Sequence, residues 1–507
     1  MEGRQPRNLV VVLLDSLNRH MVETYGGDEF ATPSMAEFGR SALRFHGHHV
    51  GSLPCMPARH DILVGALDFP WRPWGSIEVW EEAITRNLQA QGVTTMLVSD
   101  HPHLFETGGE NYHTDFTAWT YERGHENDPW RTVPDPTWVG APALPAQPGW
   151  LHHHYDDSRT YFRSEEDFPG PRTMSAAAEW IRSSAGQHDR FFLFVDEFDP
   201  HEPFDTPAPY AGMYDPEWDG PLEIWPPYLV DAVASGSLSP RRARHIRANY
   251  GSKLTMIDHW FGRLLAAIDD AGLSDTTAVV LCTDHGHYLG EHDRFGKPAG
   301  PVYSELGRIP LMVRWPGQAP RDIEALTTSV DLHATIADLF GASVDHPTHG
   351  TSLLPLIDGR ASSVREFALF GYWGGHVGIT DGRYRYLRGC GESNFPLSVW
   401  SNRWSTMPVP QFPELRLAPP DLRAELRTMP RTEVPVIRQP YQAGDRLPFW
   451  VPHPSPSASH LFDVEVDPGE MEDRAGSALE GERIEALASE LRRIEAPADL
   501  LERVGVA

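Results

Sequence analysis

The stretch that decides the fold is Asn8-Leu9-Val10-Val11-Val12-Leu13-Leu14-Asp15, an apolar run that ends in a carboxylate. A strand buried on both faces is apolar throughout, whereas a strand with one solvated face alternates apolar and polar residues. The run therefore predicts a strand in the middle of a sheet that is covered on both sides. Four later runs have the same character and predict further strands, at residues 93–100, 191–196, 277–284 and 310–315.

Helical patterns lie between these runs. Residues 243–271 form the longest, with apolar side chains on one face, and residues 331–340 end at Gly341, a residue typical of helix C-termini. Further helices are predicted at residues 32–43, 77–91 and 176–183. The alternation of strand and helix predicts an α/β fold with a largely parallel sheet. In such sheets the active residues gather beyond the carboxyl ends of the strands.

The pattern changes after about residue 365. Short strands are predicted at residues 367–372, 376–380 and 384–387, with Asp381-Gly382 as a hairpin turn, and a terminal helix at residues 482–493. We therefore predict a catalytic α/β domain over residues 1–365 and a smaller C-terminal α+β subdomain with an antiparallel sheet over residues 366–507. Its Pro-rich arm, residues 400–456, is long enough to reach a neighbouring subunit in a homo-oligomer.

Composition excludes several classes of partner. The chain has 507 residues and a net charge of -28, which argues against binding to nucleic acid or to anionic membranes. An anionic substrate would need a site made locally positive by a metal, Arg or Lys. Three cysteines cannot form a disulfide framework, and the apolar run near the start is too short to span a membrane. These features favour a cytoplasmic enzyme without a membrane anchor.

The run Cys55-Met56-Pro57-Ala58-Arg59 is the most informative motif. Pro57 fits the first turn of a helix, so Cys55 is predicted at a helix N-terminus, where free N–H groups favour negative charge. Arg59 comes one turn later on the same face and can hold an oxyanion or orient residue 55. A buried cysteine beside a structural arginine explains the motif alone equally well.

Asp15 and Asp284 end two of the predicted strands, and His285 follows directly. Two carboxylates at neighbouring strand ends repel each other unless a cation neutralises them, and His285 adds a nitrogen ligand. The alternative is that each aspartate caps the helix after its strand.

Other candidates follow strands in the same way. His201 lies in Asp199-Pro200-His201-Glu202-Pro203 and is a candidate general acid, with a surface turn as the alternative. Lys297, in Phe295-Gly296-Lys297, is a candidate contact for a substrate oxygen. His101 and His103 follow the strand at residues 93–100 and are candidate substrate contacts.

Together and in this order, these segments resemble the sulfatase family of the alkaline phosphatase superfamily. The likeness continues through Arg308-Ile309-Pro310-Leu311, the Val330-Asp331 segment, Gly350-Thr351-Ser352 and Leu461-Phe462-Asp463. The resemblance implies an alkaline-phosphatase-like α/β/α sandwich. It also implies an anionic ester substrate, although the lysine that the family has after the second strand is replaced here by Asp100-His101-Pro102-His103.

The resemblance further implies a mechanism. A formylglycine-generating enzyme would convert Cys55 to formylglycine, whose hydrate attacks the ester. Asp15, Asp284 and His285 match metal-ligand positions, with calcium as the first expectation and manganese or zinc as alternatives. Arg59 and Lys297 would offset charge on the transferring group, and His201 would protonate the departing alcohol.

Departures from the family pattern leave alternatives open. Ser16 stands where the family has a carboxylate or amide, and Leu63-Val64-Gly65-Ala66 replaces the usual Leu-Thr-Gly-Arg half of the modification signal. His285 resembles the arrangement in phosphonate monoester hydrolases. The first expectation is a sulfate ester hydrolase, with phosphonate monoester or phosphodiester hydrolysis as the alternative. A non-catalytic binding protein with an unmodified Cys55 is the third possibility.

Overall fold

A computed structural model of the chain describes residues 5–138, 153–403, 421–430, 432–445, 447 and 456–507. The strands are β1 (Asn8–Leu14), β2 (Leu43–His49), β3 (Ser52–Leu53), β4 (Thr94–Ser99), β5 (Ala118–Tyr121), β6 (Phe191–Glu197), β7 (Thr277–Cys282), β8 (Tyr288–Leu289), β9 (Phe295–Gly296), β10 (Leu311–Arg314), β11 (Arg321–Thr328), β12 (Ala368–Tyr372), β13 (Val377–Thr380), β14 (Tyr384–Arg388), β15 (Leu397–Ser401), β16 (Glu425–Thr428), β17 (Pro435–Tyr441) and β18 (His460–Asp463). The helices are α1 (Pro33–Ser41), α2 (Cys55–Val64), α3 (Ile84–Ala90), α4 (His153–Arg159), α5 (Pro169–Ser183), α6 (Pro240–Asp270), α7 (Ser304–Gly307), α8 (Val330–Phe340), α9 (Leu354–Ile357), α10 (Glu480–Arg493) and α11 (Ala498–Arg503).

The central sheet has eight strands in the order β11-β2-β10-β7-β1-β6-β4-β5. Strand β1 lies between β7 and β6 and is parallel to both, and β4 and β5 continue the parallel side. Strand β10 runs antiparallel to both of its neighbours. The sheet is therefore largely parallel, as predicted, and the carboxyl ends of β7, β1, β6 and β4 meet along one edge.

Two layers of helices cover this sheet. On β1, the odd-numbered side chains from Leu9 to Leu13 pack in one core with α2, α3 and α8. The even-numbered ones, from Val10 to Leu14, pack in a second core with α1, α5 and α6. Alternate side chains of a strand point to opposite faces, so an unbroken apolar run supplies both cores. The predicted α/β/α sandwich is confirmed.

A smaller sheet of five strands has the order β18-β14-β13-β12-β3, and α10 packs against it. Its C-terminal strands are antiparallel, whereas β3 joins β12 in parallel from the N-terminal part of the chain. Strand β3 ends two residues before Cys55, so the C-terminal sheet supports the approach to α2. A third sheet, β15-β17-β16, lies in the predicted arm, of which residues 404–420, 431, 446 and 448–455 are outside the described part.

Several predicted elements differ from those observed. The helix predicted at residues 77–91 is confined to α3, because the carboxylates of Glu78 and Glu81 are held in a buried network with Arg72. Strands β2 and β11 were not predicted, because both lie near the sheet edge, carry polar residues and have partly exposed side chains. Residues 110–171 are rich in Pro, Trp and His, which predicts an irregular segment, yet they contain β5 and α4; residues 139–152 lie outside the described residues.

Across the described residues, no helix is both long enough and apolar enough to span a bilayer.

Candidate active site

Four aspartates lie at the carboxyl edge of the central sheet, each at or just beyond the end of one of four adjacent strands. Asp284 follows β7, Asp15 follows β1, Asp196 lies near the end of β6, and Asp100 follows β4; all are fully buried. Burial of so many carboxylates is costly unless cations or hydrogen-bond donors compensate. The site is therefore defined by the groups that neutralise this edge.

Arg59 is the first of these groups. Its guanidinium is fully buried and lies 2.6 Å from Asp196 Oδ1, 2.9 Å from Asp284 Oδ2 and 3.0 Å from Asp15 Oδ2. It also donates to the backbone carbonyl of Cys55 at 3.2 Å. One arginine thus joins three strand ends to the first turn of α2.

Cys55 opens α2, as its motif predicted, and its thiol lies inside the site. Its Sγ is 3.2 Å from His285 Nε2 and 3.6 Å from Lys297 Nζ. Burial, followed by the nearby charge of Asp15, raises the pKa of the Cys55 thiol well above its usual value. In this environment the thiol stays protonated at neutral pH.

Asp15, Cys55, Asp284 and His285 each place one ligand atom in a group whose members all lie within 4.8 Å of one another. Burial and the charge of Asp15 raise the pKa of Asp284 to about 7 despite the nearby Arg59, so a further positive charge would stabilise its ionised form. His285 is neutral because burial lowers its pKa to about 3. Its Nδ1 donates to the Gly286 carbonyl, which leaves the Nε2 lone pair facing the group.

This set of donors fits a divalent cation. Two carboxylates and a neutral imidazole are ligands for calcium, manganese or zinc, and the positive charge of an ion would relieve the repulsion between Asp15 and Asp284. Asp15 Oδ2 is buried and, despite its proximity to Arg59, has no hydrogen bond of good geometry. The chain therefore has a candidate metal site beside Cys55.

Ser16 supports this pair of carboxylates. Its backbone adopts a left-handed conformation (φ 62°), and its N–H donates to Asp284 Oδ1 at 3.1 Å. Its hydroxyl donates to Asp15 Oδ1 at 2.8 Å, and Lys297 Nζ lies 3.4 Å from the same hydroxyl. Ser16 thus orients the carboxylates and links them to Lys297.

His201 lies on the loop after β6 and is buried against Phe198, with ring centroids 4.2 Å apart. Its Nδ1 donates to the Glu202 carbonyl at 2.7 Å, so Nε2 is the nitrogen left for a proton. Its loop begins at the carboxyl end of β6, the neighbour of strand β1 that Asp15 follows. Its geometry is that of an oriented imidazole at the site.

The two histidines after β4 differ from each other. His101 Nε2 lies 3.6 Å from Asp15 Oδ2, and burial followed by Arg59 lowers the pKa of His101 well below its usual value. His103 lies between Glu106 and Glu126, which raise its pKa to about 10 although burial alone would lower it. At neutral pH the site thus has a neutral imidazole at residue 101 and a cationic one at residue 103.

The structure thus brings every predicted site residue to one edge of the sheet or to the loops around it. Sequence reasoning missed Asp196, whose carboxylate forms two contacts with Arg59, although it ends a predicted strand. It also missed Lys253, which lies in α6 and contacts Asp199 at 2.8 Å. The scarcity of lysine could have drawn attention to Lys253, since only Lys253 and Lys297 among the 43 Lys and Arg residues are lysine.

Comparison with known families agrees with this geometry. The sulfatase family model matches residues 7–342, about two thirds of the chain, and the chain belongs to the sulfatase family. It is a hydrolase of the class that cleaves sulfate esters or related phosphonate esters. Members are typically metal-dependent and carry a formylglycine derived from cysteine. The resemblance noted in the sequence is confirmed.

Individual relatives are distant. The chain is 24% identical over 416 residues to the choline-sulfatase of Rhizobium meliloti, covering 75% of this chain and 78% of that protein. It is 25% identical over 427 residues to the multifunctional alkaline phosphatase superfamily protein PehA of Trinickia caryophylli, covering 71% and 79%. Among solved structures, the phosphonate monoester hydrolase of Agrobacterium radiobacter superposes with a TM-score of 0.65 at 17% identity, covering 97% of this chain and 95% of that one.

Proposed function

We propose that the protein is a metal-dependent sulfate ester hydrolase whose nucleophile is a formylglycine made from Cys55. The observation that carries this proposal is the group of Asp15, Cys55, Asp284 and His285, with ligand atoms within 4.8 Å of one another. A nucleophile precursor inside a candidate cation site, beside Arg59 and Lys297, is an arrangement suited to an anionic ester.

The buried thiol itself argues for modification. Because the environment raises the pKa of Cys55, the unmodified residue is a protonated and poorly reactive thiol. The hydrate of formylglycine would instead offer two hydroxyls on one carbon. When bound, a divalent cation supplies Lewis-acid chemistry, which lowers the pKa of such a hydroxyl and polarises the ester.

The surrounding residues have separate roles in this proposal. A hydroxyl at residue 55 attacks sulfur, the bond from sulfur to the alcohol oxygen breaks, and His201 Nε2 gives that oxygen a proton. The second hydroxyl then loses its proton, the carbon–oxygen bond to the sulfate group breaks, and the aldehyde re-forms. Arg59 orients the metal ligands, while Lys297 offsets charge on the sulfate group. His103 has both ring nitrogens held by Glu106 and Glu126 and is left without an N–H for that group. His101 would contact the substrate from the Asp15 side.

Phosphonate monoester or phosphodiester hydrolysis is the second candidate. His285 occupies a ligand position beside Asp284, and the closely superposing structures include two phosphonate monoester hydrolases. An imidazole in place of an amide adds no charge but changes the ligand field of the ion. Both activities use the same nucleophile, so one preparation of enzyme tests both.

The test begins with the state of residue 55. The protein is expressed with and without a formylglycine-generating enzyme, and the peptide containing residues 55–59 is analysed by mass spectrometry. We expect the loss of mass that accompanies conversion of a thiol to an aldehyde. Turnover of 4-nitrophenyl sulfate, a phenylphosphonate monoester and bis(4-nitrophenyl) phosphate is then measured for the modified protein and for Cys55→Ala.

The outcomes separate the alternatives. Fastest turnover of the sulfate, absent in Cys55→Ala, supports the sulfatase proposal, whereas fastest turnover of the phosphonate or diester favours the second candidate. A thiol that stays unmodified, together with retained binding of an aryl sulfate, would make the protein a binding module. Equal turnover by wild type and Cys55→Ala would refute the assigned nucleophile.

A further inference from the structure

The chain contains two lysines, Lys253 and Lys297, and both lie next to the reactive edge of the sheet. Lys297 lies 3.6 Å from Cys55 Sγ. Lys253 lies in the middle of α6, is 1% exposed and lies 2.8 Å from Asp199 Oδ1. All other members of the 43 Lys and Arg residues are arginine. The contacts of Lys253 indicate what its ammonium group does.

Lys253 contacts the loop that carries His201, defined here as the His201 loop (residues 198–205). Its Nζ reaches Asp199 near the start of the loop and donates to the Asp205 carbonyl at its end, at 3.3 Å. His125 Nε2 donates to the same Asp199 oxygen at 2.7 Å. The pKa of Asp199 stays below its usual value although burial alone would raise it, because Lys253 and His125 lie against it.

The rest of the His201 loop is held from other sides. Asp100 Oδ1 accepts the Phe198 N–H at 2.9 Å, and the Asp205 carboxylate binds Arg159 at 2.8 Å. Phe198 is the ring on which His201 stacks. The Lys253 ammonium contacts both ends of the loop and thereby fixes the distance between them. The His201 ring is held between these two ends.

We propose that Lys253 is a positioning residue for proton donation by His201. It acts by holding the two ends of the His201 loop together, so that the imidazole meets the departing oxygen. This inference rests on the proposed role of His201. Lys253 itself does not touch the reacting atoms, since its ammonium is enclosed by Asp199 and the Asp205 carbonyl.

The size of the ammonium group explains why arginine does not replace it. Lysine offers a compact charge with three donors, whereas arginine needs planar space and partners for five N–H groups. Three acidic side chains, Asp100, Glu197 and Asp199, surround this point and are fully buried. A guanidinium would have to displace part of this packed cluster.

The experiment measures dependence on the leaving group. A departing phenolate that is a weak base needs no proton, whereas a basic one does, so loss of a general acid slows the ester of the less acidic phenol selectively. The substrates are the 4-nitrophenyl and 4-methylphenyl esters of the oxyacid that the enzyme cleaves fastest. His201→Ala is expected to lose about 10²-fold or more on the 4-methylphenyl ester and much less on the 4-nitrophenyl ester.

Lys253→Met is expected to show the same selectivity, with a loss at least tenfold larger on the 4-methylphenyl ester, an order of magnitude within the range of general acid catalysis. Adding Lys253→Met to His201→Ala should produce little further selectivity, because both changes act through one proton donor. The double variant Lys253→Met/Asp199→Asn removes both charges of the buried pair and serves if the single variant does not fold. Arg365→Met, which removes another buried ion pair with Asp331, is the control and should leave the selectivity unchanged.

The outcomes distinguish this inference from the proposed function. Selectivity in His201→Ala but none in folded Lys253→Met or in the double variant would overturn the positioning role alone. No selectivity in His201→Ala would remove the assigned acid and this inference with it, while activity that depends on Cys55 would leave the hydrolase proposal standing.

Discussion

Helix α2 takes part in two buried clusters of charge that differ in how the charge is neutralised. On one side Arg59 joins the site cluster, formed with Asp15, Asp196 and Asp284. On the other side the next residue, His60, joins a second cluster, here called the His60 cluster, formed with Asp68, Arg72, Glu78 and Glu81. Both clusters are almost fully excluded from solvent.

The His60 cluster is closed. His60 donates from both ring nitrogens, to Glu81 at 2.8 Å and to the Ala66 carbonyl at 3.1 Å. Arg72 lies 2.6 Å from Asp68 and 2.9 Å from Glu81. Each cation therefore faces a carboxylate of the protein itself, and the cluster has the properties of a structural network.

The site cluster differs in composition. It sets one arginine against three carboxylates, and the ligand atoms of Asp15, Asp284, His285 and residue 55 lie within 4.8 Å of one another. Buried charge alone therefore does not mark an active site, since α2 has a buried cluster of cations and carboxylates on each side. The distinguishing feature is that two carboxylates, a neutral imidazole and the side chain of residue 55 bring their ligand atoms within 4.8 Å of one another.

Of the variants that test the difference between the two clusters, Asp284→Asn is expected to have the largest effect on turnover. Loss of one charged ligand should lower turnover by about 10²- to 10³-fold or more, because the transferring group would lose the electrostatic stabilisation of a bound ion. The wild type should also gain about 2.7 kcal/mol in unfolding free energy at a free cation concentration of 100 Kd, and the variant should lose this gain. Steady-state kinetics and denaturant unfolding with and without calcium, manganese or zinc measure both quantities.

The metal-free Asp284→Asn protein should remain at least as stable as the wild type near pH 8, because burial and Asp15 already raise the pKa of Asp284 to about 7. Asp322→Asn, at a partly exposed pair with Arg44, is the matched control and should keep wild-type turnover. Wild-type turnover in folded Asp284→Asn would contradict the metal site.

Arg72→Met tests the closed cluster and should have the opposite signature. It leaves Asp68 and Glu81 buried without their cation, and a loss of about 3–5 kcal/mol in unfolding free energy is expected. Turnover per folded molecule should stay near the wild-type value. Arg40→Met removes an exposed pair with Glu37 and should cost no more than about 1 kcal/mol. A large fall in turnover with little loss of stability would show that the two clusters are not separate.

The sequence predicted those parts of the structure that depend on a local pattern of residues. Strands β1, β4, β6 and β7 were predictable because burial on both faces requires unbroken apolar runs. Asp15 and Asp284 were predicted as site residues because each lies at the end of a strand. Cys55 and Arg59 were predicted because their motif places both on one helix face. The same reasoning did not reveal the His60 cluster, since it joins α2 to residues 68–81 through contacts that no periodicity encodes.

Edge strands and positioning groups also could not be predicted from the sequence. Strands β2 and β11 carry mixed polar residues, which periodicity does not separate from loops. Lys253 looks like one polar residue of a long helix, and only the fold brings it to Asp199. The domain boundary near residue 365 stays a prediction, and the pairing of β3 with β12 shows that the chain crosses between sheets.

The smallest expected effect concerns the pH dependence of the closed cluster. Glu81 and Asp68 raise the pKa of His60 to about 9 from its usual 6.5, although burial alone would lower it. The folded state therefore binds this proton more tightly than the unfolded state, so the stabilisation is complete below pH 6.5 and is lost as the pH rises through 9. The shift corresponds to about 3 kcal/mol.

In His60→Gln this contribution is absent, so the difference in unfolding free energy between wild type and variant should shrink by that amount between these two pH limits. Asp61, whose pKa burial raises to about 8, titrates in the same range and is influenced by the charge of His60, so both proteins are compared in an Asp61→Asn background. Urea unfolding of both proteins below pH 6.5 and above pH 9 measures it. A difference that does not change with pH would mean that His60 is neutral in the folded protein, which would leave Arg72 as the one cation of the His60 cluster, as Arg59 is of the site cluster.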